Sequence, residues 1–383
     1  MTATLLLLGC GTVGMGVLRW LAGRRSFPAI LAADREEERA RAAAAIDPHR
    51  ITPVAIDLAD RPALVGLMRR ATVVLNCAGP FYRWGRPAVE AALEAGTPYV
   101  DVNDDATSVA EVLNDPALDA RARRDRRVAL VGTGTSPGLT TLLVRLGAEG
   151  MERVRRVTVA LAATMPVRGR AVVEHVLHVL TGPALVYRGG RLVTLPPFSE
   201  AEAFTFPEVE GPVLCYAAGH PEPVVIPRFL PGVEEVVMKL GRIPNSLMEA
   251  LRTLYRWGLL DPRPLPVGPV SLSPRDFLTA FLASEAAGEA FGLRGAPMVS
   301  ARLVRVEGMA GGKQVEVTVG YTGPPVTAQV AALTAEAVAA GRVPGPGVMG
   351  PEALDPRPIL REVLKEGGSF RVERREREEG WRE

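Results

Sequence analysis

The sequence predicts an α/β chain: a Rossmann, doubly wound parallel sheet joined to a second α+β domain with a mixed sheet. Three observations predict it. An apolar strand at residues 4–8 runs into Gly9-x-Gly11-x-x-Gly14 and then into a helical apolar stripe of Val13, Val17, Leu18 and Leu21. Short apolar runs alternate with helix-period segments up to residue 131, the signature of βαβ units and a parallel sheet. Past residue 155 the alternation gives way to strand pairs joined by glycine turns.

The elements follow in order. Leu5–Leu8 is strand one and Gly11–Ala22 the first helix. Ala29–Ala33 is strand two, followed by a helical run at Glu36–Ala45. Ile51–Ile56 is strand three and Arg61–Arg70 its helix. Thr72–Asn76 is strand four, Pro87–Ala95 a helix and Pro98–Val102 strand five. A helix at Asp115–Arg124 leads to strand six at Val128–Val131. Ser136 then reads as an N-cap with Pro137 at the first helical position.

In the second part, Val157–Ala163 is a strand and Ala171–Leu180 a helix. Tyr187–Leu192 forms a hairpin about Gly189-Gly190. Val213–Ala217 and Val236–Leu240 are strands; Ser246–Tyr255 and Pro274–Ala287 are helices, the latter capped by Ser273. Val299–Val306 and Gln314–Tyr321 pair across Gly311-Gly312. Ala328–Ala340 and Pro358–Lys365 are helices, Phe370–Val372 a last short strand, and the alternating charges of 371–382 a solvated tail.

Composition narrows the function classes. At 383 residues two domains are the default, and 47% hydrophobic with 23% charged residues is that of a soluble globular chain. A net charge of +2 and 5% aromatic residues argue against nucleic-acid and membrane partners. Cys10, Cys77 and Cys215 are odd in number with no CxxC spacing, which suits a reducing, cytoplasmic setting. Only three lysines are present, Lys239, Lys313 and Lys365, a bias that GC-rich coding and thermophily both produce.

The glycine loop carries the first chemistry. Gly9 permits the tight turn, Gly11 lets a pyrophosphate approach the backbone, and Gly14 lets the helix pack on the sheet. With Thr12 and Val13 they open a helix N-terminus that favours anions. Asp34, ending strand two, is placed to hold both ribose hydroxyls, which favours NAD; Arg35 beside it either pairs with a 2′-phosphate, giving NADP, or stacks on adenine. Asp57 accepts from the adenine amino group or caps the next helix. Asn76, Ala78, Gly79 and Pro80 follow strand four at the carboxyl edge of the sheet, where a cofactor lies in open α/β folds.

Asn76-Cys77-Ala78-Gly79-Pro80-Phe81-Tyr82, Tyr99-Val100-Asp101-Val102, Gly134–Leu139, Gly219-His220-Pro221-Glu222-Pro223 and Gly347–Glu352 together resemble the saccharopine dehydrogenase-like reductases. The resemblance spans nearly the whole chain. It implies a Rossmann domain at 1–135 and 325–383, the C-terminal segment returning to it. It implies a substrate-binding and dimerisation domain at 136–324, and a homodimer. The implied reaction is NAD(P)-dependent hydride transfer at the C–N bond of an amino-acid-like substrate, with the nicotinamide in the cleft between domains. The rivals are a dinucleotide-binding scaffold without turnover and a C=O reductase.

Several polar residues are candidates for the reaction itself. His220 and Glu222 sit in a proline-braced loop. Lys239 interrupts the apolar strand Val236–Leu240 and reads either as a general base or as a solvent-facing residue. Arg228 is a candidate carboxylate clamp. Tyr82 faces substrate or covers the cleft, and the N–H groups at Ser136 suit a carboxylate or carboxamide. His175 and His178 have HxxH spacing but no third ligand, so no metal is expected.

Overall fold

The computed structural model describes residues 3–164, 170–290 and 298–377. The chain divides into two compact units: Met1–Arg145, Val224–Phe229 and Val326–Lys365 form the first, and Leu146–Pro223, Leu230–Pro325 and Glu366–Glu383 the second.

In the first unit the strands are β1 (Thr4–Leu8), β2 (Ala29–Asp34), β3 (Ile51–Ala55), β4 (Val73–Asn76), β5 (Tyr99–Asp101) and β6 (Val128–Leu130). All are parallel, in the order β6-β5-β4-β1-β2-β3. Helices cover both faces, so β1 is a continuous apolar run: Leu5, Leu6, Leu7 and Leu8 are all fully buried. A seventh strand, beyond the six expected, comes from Gly347–Met349, which pairs in parallel with β6 at the edge. The helix Thr327–Ala339 returns to pack on α1 (Thr12–Ala22). Arg24, just past α1, bridges Glu336 at 3.1 Å and Glu362 at 2.9 Å, tying the return segment in place.

Two helices depart from expectation. The one expected at Pro87 begins at Phe81 and contains Pro87, because burial of Gly85, Ala88 and Val89 outweighs the backbone bond that the proline removes. Ala106–Leu113 was not foreseen; Asp105 caps it by accepting from Ser108 N at 2.8 Å.

The second unit is built on a mixed sheet. Its strands are β7 (Arg153–Thr164), β8 (Ala184–Arg188), β9 (Arg191–Leu195), β10 (Glu202–Phe204), β11 (Val213–Ala217) and β12 (Glu235–Ile243). A separate ribbon of β13 (Leu265–Val267) and β14 (Val270–Leu272) precedes β15 (Ser300–Ala310) and β16 (Lys313–Gly323). The sheet order is β10-β11-β12-β7-β15-β16, with β8 and β9 attached beside β12. Only β12 and β7 run parallel. Both glycine hairpins form as read: Gly189-Gly190 and Gly311-Gly312 all have positive φ, between 56° and 83°, as the two-residue turn requires.

Three expectations fail in this unit. The helix Pro274–Ala287 breaks into Pro274–Leu282 and Glu285–Ala290. The charged tail is a strand: Ser369–Arg377 pairs antiparallel with β16, and Lys313 bridges Glu376 at 2.8 Å. Its charges sit on an edge strand, where they cost little; residues 378–382 lie outside the described residues. The return to the first unit therefore ends at Lys365, short of the expected residue 383.

Candidate active site

In the first unit the glycine loop has the shape of an anion cradle. Gly9 sits at φ +88°, and a Cβ there would lie 2.7 Å from Ala78 N, so the loop after β4 closes against it. A Cβ on Gly14 would overlap Gly9 O, whereas one on Gly11 would meet nothing within 4 Å. Gly11 caps α1 with no side-chain bond to the first turn, which begins at Thr12 and Val13. That open space before a helix N-terminus suits a pyrophosphate.

Asp34 closes one side of the cradle. Its carboxylate accepts from Cys10 N at 2.8 Å and from Glu36 N at 3.0 Å, which fixes it at the end of β2. Arg35 is exposed beside it. Asp57 is also exposed and accepts from Ala59 N at 2.9 Å. It does not cap the next helix: Asp60 does, accepting from Ala63 N at 3.1 Å.

The opposite side is braced from beneath by a buried hydrogen-bond chain. Asn76 Oδ1 accepts from Ala78 N at 2.9 Å, and Asn76 Nδ2 donates to the Tyr99 hydroxyl at 2.9 Å. That hydroxyl donates to Asp101 at 3.1 Å. Asp101 also accepts from Gly132 N at 2.7 Å and Asn103 N at 3.0 Å. One carboxyl thus holds the loops after β4, β5 and β6, with Gly79 and Pro80 at the rim. Burial pushes Asp101 up from 3.8 to about 7, against the two backbone N–H groups that favour its charge. Burial likewise raises Cys10, to about 12, and Cys77, so neither is a ready thiolate. Tyr82 is 56% exposed on the first turn of the helix that Pro80 caps. Ser136 is buried within the turn Thr135–Leu139, with extended dihedrals of −134° and 121°. Its extended backbone marks the break between two helical stretches, directly before Pro137.

The second unit holds a distinct polar cluster on one face of its sheet. Arg242 of β12 and Ser300 of β15 both register with Ala163 of β7, and Arg302 registers with Leu161 two residues along. The pleat puts all three on one face. Arg242 and Arg302 are 6% and 1% exposed, and each has a buried Nε with no hydrogen-bond partner. Arg302 donates to Ser300 O at 3.2 Å and Ser300 Oγ at 2.8 Å and lies over the Tyr321 ring. Desolvation presses both guanidiniums down to about 10; for Arg302 the charge of Glu222 works in the other direction. Glu222 is fully buried, its carboxylate 4.0 Å from His220 Nδ1, and the His175 ring lies 6.2 Å from that of His220.

Two candidates take structural roles instead. Lys239 projects from the opposite face of β12 and donates to Glu202 at 2.8 Å and to Glu200 O at 2.9 Å. Arg305 reaches the other Glu202 oxygen at 2.8 Å. Lys239 is therefore neither an open amine nor solvent-facing; it is one arm of an ion-pair cluster on the sheet. Arg228 belongs to the first unit, where it donates to Leu113 O at 2.9 Å and approaches Glu352 at 3.5 Å. Both contacts brace it within the first unit. Sequence reasoning missed Arg242 and Arg302. The signal was present in Leu240-Gly241-Arg242-Ile243 and Ala301-Arg302-Leu303, a charge inside an apolar strand.

Residues 5–130 match the saccharopine dehydrogenase NADP binding domain, and residues 172–369 the saccharopine dehydrogenase C-terminal domain. The chain belongs to the saccharopine dehydrogenase family. Among solved structures it is similar to saccharopine dehydrogenase (L-Glu forming) from Saccharomyces cerevisiae, at 16% identity and a TM-score of 0.69, over 97% of this chain and 99% of that one. It is also similar to the homospermidine synthase of Legionella pneumophila in complex with NAD, at 11% identity and a TM-score of 0.63, over 97% and 91%. These likenesses show the fold. As a saccharopine dehydrogenase-like oxidoreductase the chain takes NAD(P), and the cradle of Gly9, Gly11, Gly14 and Asp34 fits that cofactor.

Proposed function

We propose that this chain is an NAD(P)-dependent dehydrogenase acting at the C–N bond of an amino-acid-like substrate that carries a carboxylate. The observation that carries the reading is the pair of buried guanidiniums, Arg242 and Arg302, on one sheet face, each with an unsatisfied Nε and with only the Glu222 charge acting on Arg302. Two desolvated cations with a single buried carboxylate, Glu222, near only one of them are costly in the free protein. A carboxylate ligand relieves that cost through charge-assisted, bidentate bonds, which favours these two arginines over Arg228 as the clamp.

His220 is the group to move the proton at the substrate nitrogen, and Glu222 holds the imidazolium that results. Tyr82 and Ser136 are further substrate contacts. The glycine loop with Thr12 and Val13, Asp34, Arg35, Asp57, Asn76, Ala78, Gly79 and Pro80 hold the dinucleotide, which supplies the hydride acceptor. Asp34 favours NAD over NADP, since a carboxylate fixed at 2.8 Å from Cys10 N repels a 2′-phosphate. The working form is a cytoplasmic homodimer; free Cys10, Cys77 and Cys215 agree with a reducing compartment.

The test is reduced-nicotinamide absorbance with NAD and NADP against a panel of amino acids, amino dicarboxylic acids and diamines. Turnover is expected only with carboxylate-bearing amines. Arg242→Gln or Arg302→Gln is expected to raise KM about 100-fold, as loss of a charge-assisted bond does. Turnover confined to diamines, or cofactor binding with no turnover at all, overturns the reading.

A further inference from the structure

We infer that the ribbon β13–β14 and its base are a self-association surface that packs against the same surface of a second copy of this chain. This rests on the homodimer reading and assigns it to particular residues. Among the described residues eleven large hydrophobic side chains are exposed, and seven fall between Trp257 and Phe277. They are Trp257 (71%), Leu259, Leu265, Val267, Val270, Leu272 and Phe277 (57%).

The register gathers four of them on one face. Leu265 pairs with Leu272 and Val267 with Val270, while Pro266 and Ser271 take the other face. Every residue of both strands is exposed, and a lone two-stranded ribbon with an uncovered apolar face is marginal in water. The base is closed where Arg275 N donates to Asp261 O and Arg275 Nε to Leu260 O, which brings the end of the Asn245–Arg256 helix beside the start of Pro274–Leu282. Trp257 and Phe277 flank that closure.

Three arguments select a second copy as the occupant. The run from Pro264 to Pro274 contains no charged residue, and Arg263 and Asp261 at its base pair with each other, so the ribbon face offers nothing for an oppositely charged partner to complement. A two-fold contact needs a patch that matches itself, and a leucine–valine, valine–leucine face does so when one copy is rotated upon the other. Seven side chains at these exposures amount to several hundred Å², approaching the roughly 800 Å² per partner of a standard interface and above what monomers commonly leave bare.

The experiment is light scattering after gel filtration of the full chain, across concentration, for the parent and for Val267→Asp/Val270→Asp. These side chains are 55% and 56% exposed, so the variant keeps its fold, checked by an unchanged circular dichroism spectrum. The expected result is a dimeric parent and a variant whose dimer dissociation constant rises about 100-fold or more, from burying two unpaired charges. As a second readout, Val270→Cys is expected to form an intermolecular disulfide under mild oxidation. A variant as dimeric as the parent overturns the assignment while leaving the homodimer standing. A monomeric parent overturns both, as does a monomer that binds lipid vesicles through this face. None of these outcomes touches the dehydrogenase reading, whose test is turnover.

Discussion

At the scale of single residues, the two glycines of the loop separate binding from folding. Gly11→Val is expected to abolish dinucleotide binding by calorimetric titration while stability shifts by no more than about 0.5 kcal/mol, because a side chain there meets only open space. Gly14→Ala, whose Cβ would strike Gly9 O, is expected to lower the melting temperature instead. Asp34→Ser is expected to move the ratio of NADP to NAD affinity towards NADP, read as a pair of dissociation constants; a parent that already prefers NADP would mean that Arg35 dominates. Asp101 gives a pH signature. Its folded pKa, about 7, lies above the unfolded value of 3.8, so the folded state holds the proton more tightly. The resulting stabilisation is fully present below pH 4 and is lost as pH rises through 7, on the order of a few kcal/mol. Melting temperatures of the parent and of Asp101→Asn should therefore diverge differently at pH 5 and pH 8; an identical pH dependence in both sinks the assignment. The glycines and Asp34 were legible because their spacing is dictated by the ligand. Asp101 was not, since only the fold shows that one carboxyl serves three loops.

At the scale of elements, strand parity decides what a charge inside an apolar run does. Lys239 and Arg242 are three residues apart on β12, so they leave opposite faces. The sequence offers the same cue at both, and only the register tells them apart: Lys239 meets Glu202, while Arg242 meets no carboxylate among the described residues. Lys239→Met is thus expected to cost about 2 kcal/mol of stability in a denaturant titration, the worth of a hydrogen bond between charges, with turnover and dinucleotide affinity within a few-fold of the parent. A loss of two or more powers of ten in kcat would restore it as a base. Helix boundaries failed for a related reason. Phe81–Ala95 runs through Pro87 because packing overrides local preference, and no window of sequence contains the packing partners.

At the scale of the whole molecule, the long strands of both units were legible from apolar periodicity and glycine turns, but the three-residue strands β10, β13, β14 and Gly347–Met349 were not, nor was the partition of the C-terminus. Charges at 371–376 read as solvated, and they are exposed or half-exposed, yet their backbone completes the edge of the second sheet. Deleting residues 366–383 is expected to strip β16 of its outer neighbour and lower the melting temperature of the second unit, while NAD(P) affinity stays within a few-fold of the full chain. Loss of cofactor binding on that deletion would place the tail in the first unit after all.

The strand Gly347–Met349 carries a consequence for synthesis in the cell. It hydrogen-bonds to β6 at Val128–Leu130, so the edge of the first sheet waits for residues made more than two hundred positions later. At about 5–20 residues per second, that interval is on the order of ten seconds or more. Throughout it the nascent chain exposes the β6 edge that the late strand will cover, an open template for wrong pairing while the ribosome is still at work.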